Sequence, residues 1–304
     1  MSKKIVAAIH VFNMSSIPFN RGLEAVGGAI SNSAEKLSLI KETIVSYITN
    51  DPGMPLEKLC IINQGTDCEY TKAFLNKLHN TRTRYGTLIV VLDAPDVIWK
   101  GPFGSREFTY RQFPDMDYYF ETDSDNMVTQ TGWLKFIVNK MEKNHQIGLL
   151  GAYLDRKGFQ APNTVKWITK DRVEIAPPVI KYNSGAWTLI PRHIFEGFDK
   201  YWCRDWINQG TCFFDYAGAM GELYYAFKVE QLGYINEDLT DENVDAPYDW
   251  IVPDRLFPNF TIGNTRTIPK KKFISPFFNT YLYMKDTQLV EFYIQGFYKN
   301  CKRV

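Results

Sequence analysis

The sequence predicts an α/β protein: a three-layer α/β/α sandwich, Rossmann-like in plan, with a mainly parallel central sheet and an irregular C-terminal extension. Two observations carry this. Through residue 150, short apolar strand patterns alternate with helical ones, as βαβ units covered on both faces do. Polar residues then close the predicted strands, at Asn13, Asn63 and the Glu121/Asp123/Asp125 group. In such sheets, ligands collect beyond the carboxyl ends of the strands.

Ile5–Phe12 reads as a buried first strand ending at Asn13. A long polar, glycine-rich loop over 14–31 follows, of the kind compact domains keep for function. Asn32 and Glu35 open a helix whose apolar stripe is Leu37, Ile40, Ile44 and Ile48. Leu59–Ile62 is the second strand, and Thr66 with Glu69 forms a capping box for a helix bearing Tyr70, Phe74 and Leu78. Thr87–Leu92 is the third strand. Loop and helix over 101–113 lead to a strand opening at Tyr118–Phe120, then a helix over Gly132–Met141 and a strand at Ile147–Leu150. Residues 152–183 read as irregular or antiparallel strands. A helix over 219–232 closes at Gly233, and 236–280 is proline-bearing and loop-like.

Composition sets the class. With 45% hydrophobic residues the chain of 304 builds a sizeable core, which argues against disorder. The 46 aromatic residues (21 Phe, 18 Tyr, 7 Trp) are numerous enough that some must meet solvent, where rings stack on sugars or bases. Net charge is +1, unevenly spread: residues 266–304 carry eight Lys/Arg against Asp286 and Glu291, so a basic tail follows an acidic body and suits an anionic partner. Five cysteines without a C-x-x-C pair point to a reducing compartment, so a cytoplasmic location is expected. The apolar run Ile5–Ile9 is too short for a signal sequence. No apolar stretch approaches the roughly 18 residues of a spanning helix.

The chemistry concentrates in Asp117-Tyr118-Tyr119-Phe120-Glu121-Thr122-Asp123-Ser124-Asp125-Asn126. Residues two apart on a strand face the same side, so Glu121, Asp123 and Asp125 are placed to share one edge. Carboxylates held that close call for a cation, and Mg²⁺ or Mn²⁺ suits oxygen ligands while keeping positions open for phosphate oxygens. An acidic turn solvated by water satisfies the same ten residues.

With these pieces in order, the chain resembles nucleotide-sugar-dependent glycosyltransferases of the GT-A fold, in the style of the inverting family 2. Ile9-His10-Val11-Phe12-Asn13 resembles their first strand. Leu59–Asp67 resembles the second strand and its glycine–hydroxyl–acid turn, Gly101–Arg106 the glycine-to-arginine segment, and Asp117–Asn126 the D-x-D strand. The resemblance covers residues 5–150 well, 180–235 loosely and the C-terminal third hardly at all.

The resemblance implies a donor-binding half over 1–150, an acceptor-binding half of the same domain over 151–250 and a basic, aromatic extension over 251–304. It implies a nucleoside-diphosphate sugar as donor, a UDP-sugar being weakly favoured, and Mn²⁺ or Mg²⁺ on Asp123 and Asp125. Donor contacts are expected from Asn13, Asn63, Arg106, Asp123 and Trp187. Asn63 stands where the family has a base-reading aspartate, and Glu107 follows Arg106 where asparagine is usual. Asn183–Ile190 resembles the acceptor-side strand, in which Trp187 either stacks on the sugar or packs in the core. Glu222 resembles the first acid of a paired motif whose second position is Leu223, and Asp215 is its rival as the base that deprotonates the acceptor hydroxyl. No histidine after His193 is present to complete a metal site. Lys270–Lys272 either close over the diphosphate or form a solvated face. The acceptor is a glycan, a nucleic acid or a protein. A nucleotidyltransferase, and a noncatalytic sugar- or nucleic-acid-binding protein on a transferase fold, are the competing readings.

Overall fold

The computed structural model describes residues 2–11, 13, 33–95, 101–124, 126–128, 131–151, 159–160, 166–168, 173–175, 179–181, 183, 187–197, 225–238, 278–280 and 301–303. In chain order these form β1 (Ile5–Val11), α1 (Ser33–Thr49), β2 (Lys58–Asn63), α2 (Glu69–Leu78), β3 (Thr81–Thr83), β4 (Leu88–Asp93), α3 (Gly101–Gln112), β5 (Tyr118–Asp123), β6 (Asn126–Val128), α4 (Trp133–Lys143) and β7 (Ile147–Gly151). Four short strands follow: β8 (Phe159–Gln160), β9 (Lys166–Ile168), β10 (Val173–Ile175) and β11 (Val179–Ile180). Then come β12 (Trp187–Pro191), α5 (Arg192–Gly197), a helix α6 over residues 225–231, β13 (Ile235–Asp238), β14 (Phe278–Thr280) and β15 (Cys301–Arg303).

Among the described residues, nine strands make one sheet in the order β13-β7-β12-β5-β1-β2-β4-β3-β15. Its centre is parallel, with β5, β1, β2 and β4 running side by side in unbroken register. The expectation of a mainly parallel sheet is corrected, because the sheet is mixed: β12 lies antiparallel between β5 and β7, and β3 and β15 are antiparallel on the far side. The reason lies in the chain between β7 and β12. There β8 pairs with β11 and β9 with β10, a nested antiparallel excursion that leaves and re-enters the sheet at the same edge. A chain returning to the edge it left must run back down the sheet. Only a crossover to the opposite edge makes the next strand parallel.

Side chains alternate between two faces along each strand. Ile5, Ala7, Ile9 and Val11 of β1 join one core cluster with Ile40, Ile44 and Ile48 of α1, Leu75 and Leu78 of α2, and Trp133 and Ile137 of α4. Val6 and Ala8 join the other, with Ile194 and Phe195 of α5, Tyr225 and Val229 of α6, and Phe108 of α3 packed against it. That gives helix, sheet and helix layers, and every residue of β1 is buried.

Local details differ from the sequence expectations at helix starts. The capping box expected of Thr66 and Glu69 is replaced by Cys68 at the N-cap, without a side-chain cap bond. Thr66 is engaged elsewhere, its hydroxyl accepting from the Asn13 N–H. Gly233 does close α6 with a left-handed φ of 83°, and the Tyr234 N–H reaches back to the Val229 carbonyl. From the extension, β14 pairs with β6 and β15 with β3. No described helix is long and apolar enough to cross a membrane. Residues 14–31, 219–224 and Lys270–Lys272 lie outside the described residues.

Candidate functional site

The four central strands end together. Register pairs Val11 with Asn63, Asn63 with Asp93, and His10 with Asp123, so polar residues finish neighbouring strands on one edge. At the junction of β2 and β4 the Asn63 Nδ2 donates to Asp93 Oδ1 at 2.7 Å, and the Asn63 Oδ1 accepts from the Thr66 N–H at 3.1 Å. The turn between them needs Gly65, whose φ of +87° is left-handed. A cleft of about 310 Å³ opens here between the strand ends and α2, lined among others by Asn63, Thr66, Lys72, Asn76, Asp93 and Pro95. Lys72 is tied to Glu69 at 2.8 Å. That bond raises its pKa, and the nearby charges of Glu69, Asp67 and Asp93 act in the same direction.

Asn13 holds this turn in place from below. It is fully buried, its Nδ2 donates to Thr71 Oγ1 at 2.9 Å and its own N–H to Thr66 Oγ1 at 3.0 Å. Its carbonyl accepts from the N–H groups of Asp67 and Cys68. The end of β1 is thereby stitched to the β2–α2 turn that walls the cleft.

On the other face of the sheet, Glu121 does not join an open acidic cluster, as its spacing to Asp123 suggested. It is 2% exposed and shares a 2.5 Å hydrogen bond with His10 Nε2. Alternation turns Tyr119 and Glu121 toward α3, and two residues of that helix answer it. The Thr109 hydroxyl donates to Glu121 Oε2 at 3.3 Å, and the Arg106 charge acts on the same carboxyl. Arg106 is itself buried, its guanidinium 4.8 Å from the centre of the Tyr225 ring. Burial pushes the Glu121 carboxyl above its ordinary range, while His10, Arg106 and Thr109 pull the other way. Burial also raises the Tyr225 phenol, opposed by Arg106.

Asp123, by contrast, is exposed at the end of β5. An exposed carboxylate at a strand end is a fit donor for a hard divalent cation that keeps water or phosphate oxygens in its remaining positions. Among the described residues no group of three or more His, Cys, Asp or Glu converges to hold a metal ion. Asp125, Asp215 and Glu222 lie outside those residues. Trp187 stands in the core, 1% exposed and stacked on Phe120 at 6.0 Å between ring centres. The structure thus brings Asn13 and Asn63 together around one turn and sets Asp123 on the same edge two strands away. It leaves Arg106 and Trp187 beneath the surface.

Asp93 escaped the sequence reading. The signal was present: Val91-Leu92-Asp93 repeats Ile61-Ile62-Asn63, an apolar run closed by one polar residue.

No protein-family model matches the chain, and no curated protein sequence matches it. Among solved structures it is similar to S. aureus TarS residues 1–349, with 13% identity and a TM-score of 0.41 over 79% of this chain and 58% of that one. Against a longer crystal structure of S. aureus TarS the score is 0.43, again at 13% identity, covering 79% of this chain and 35% of that one. The complex of S. aureus TarS 1–349 with UDP-GlcNAc gives 0.37 at 12% identity over 72% of this chain and 54% of that one. The chain therefore spans little more than half of the shorter TarS structures, and at these scores the likeness assigns it no activity.

Proposed function

We propose that the chain is a metal-dependent glycosyltransferase that moves a sugar from a nucleoside-diphosphate sugar to a hydroxyl acceptor with inversion. One observation carries the reading: parallel neighbouring strands end in register, setting Asn63 and Asp93 beside a ligand-sized cleft and the exposed Asp123 on the same edge. The motif order from Ile9 to Asn126 supports it.

In this reading Asp123 and Asp125 would hold the divalent cation. When bound, it neutralises the charge that gathers on the departing diphosphate. The chain's own part is positional. Asn13 and Asn63 fix the turn that receives the nucleotide, and the buried Glu121–His10–Arg106 group holds β1, β5 and α3 rigid beneath the reacting edge. Trp187 supports β12 from the core. A carboxylate, Asp215 or Glu222, takes the acceptor proton as its oxygen attacks the face opposite the leaving group.

The test is thermal denaturation of the protein with UDP, GDP, ADP, CDP or TDP, each with and without Mn²⁺. A ligand bound by the folded state raises the midpoint by linkage. At least one diphosphate should stabilise in a Mn²⁺-dependent manner, and Asp123→Ala or Asp125→Ala should abolish that dependence. A protein indifferent to every diphosphate and to Mn²⁺ is not such a transferase.

A further inference from the structure

The geometry points to Asp93 as the residue that selects the nucleobase, by accepting the ring N–H of a base whose edge presents a carbonyl beside an N–H. This rests on the nucleotide-sugar reading and adds a specificity residue to it. Asn63 is largely spoken for: its Oδ1 accepts from the Thr66 N–H and one hydrogen of its Nδ2 goes to Asp93 Oδ1. What the pair still offers a ligand is the second Nδ2 hydrogen and the other carboxylate oxygen of Asp93. A donor beside an acceptor is the complement of a carbonyl beside an N–H.

The pair is held in that pose. Asn63 and Asp93 are register partners on parallel strands, and the Ala94 N–H returns to the Asn63 carbonyl at 2.8 Å. Leu75 on α2, Val91 on β4 and Pro95 beyond it give the cleft an apolar side, while Thr66, Lys72 and Asn76 line the rest. A flat ring with one polar edge can lay its face on that apolar side. The volume of about 310 Å³ sits at the small end of ligand pockets, which run from roughly 300 to 1,000 Å³, and so favours a ring system over a chain of sugars.

The carboxylate also ranks the bases. A charge-assisted hydrogen bond strengthens with the acidity of its donor, and the N–H of a uracil or guanine edge is more acidic than the amino group of adenine or cytosine. Lys72 on the neighbouring helix carries its positive charge near the Asp93 carboxylate.

The experiment is calorimetric titration of UDP, GDP, CDP and ADP, with Mn²⁺, into the full chain and into Asp93→Asn and Asn63→Ala. Asp93 is exposed, so its amide variant should fold as the wild type does, and matching urea midpoints check this. UDP or GDP should bind wild type more tightly than CDP and ADP. Asp93→Asn should weaken that binding by about ten- to a hundredfold, the loss of one charge-assisted bond, and narrow the preference. Asn63→Ala should weaken it too, by freeing the Asp93 carboxylate from its pose. Unchanged affinity in Asp93→Asn, or equal affinity of wild type for all four diphosphates, overturns the base-selecting role while leaving the diphosphate site standing. Absence of all binding removes both.

Discussion

His10 Nε2 and Glu121 Oε2 stand 2.5 Å apart, one hydrogen bond joining the ends of two parallel strands on the buried second face of the sheet. Each partner keeps one buried polar atom, His10 Nδ1 and Glu121 Oε1, without a hydrogen bond among the described residues. A half-satisfied polar pair in a low-dielectric site costs stability.

That pair makes stability depend on pH. Burial holds the Glu121 carboxyl above its unfolded pKa, so the native chain keeps the proton to a higher pH than the unfolded chain does. The stability due to this proton is full below the unfolded value and is lost as pH rises through the native one. Urea midpoints of wild type should therefore fall, relative to Glu121→Gln, as pH climbs out of the ordinary carboxylate range. Glu230, also raised by burial, adds the same slope to both proteins and so cancels from the difference. Parallel curves would show that Glu121 is equally charged in both states.

Trp187 should behave as a core residue. Its ring is 1% exposed against Phe120, so Trp187→Ala should cost about 3–5 kcal/mol in urea unfolding, and Trp187→Phe less. An Ala variant of undiminished stability that lost only ligand affinity would place the ring in the site instead.

Gly151 should be intolerant of even one methyl. A Cβ there would lie 2.6 Å from both Cβ and Nδ2 of Asn183, whose amide donates to the Glu237 carbonyl. Gly151→Ala should lose about 1–3 kcal/mol by overpacking. The cost should shrink in an Asn183→Gly background, which removes the obstructing atoms, and a double-mutant cycle measures this. Additive losses would mean that the strain lies elsewhere.

The legible parts of this fold were those written in local pattern. Ile5–Val11, Leu59–Ile62 and Leu88–Leu92 are apolar runs long enough to read as buried strands, and Leu37, Ile40, Ile44 and Ile48 mark α1 by helical spacing. The direction of β12 was not legible, because an apolar strand has the same period whichever way it runs. Thr81–Thr83 is too short and too polar to announce itself, though it hydrogen-bonds β4. At the site, Asn13, Asn63 and Asp123 were visible as polar ends of strands. The Asn63–Asp93 bond needed the register of β2 on β4, and the His10–Glu121 bond spans 111 positions of sequence. Side chains that meet only through register leave no mark on the neighbours they have in the chain.

The pairing of β15 with β3 bears on how the protein is made. β3 leaves the ribosome well before its outer partner, which arrives only when the chain has been synthesised as far as Cys301–Arg303. Until then the outer side of β3 presents unpaired backbone donors and acceptors, a template for any passing strand. A helper that shields that border, or a pace of translation that shortens the wait, would govern yield of folded protein without touching a residue of the strand-end cleft.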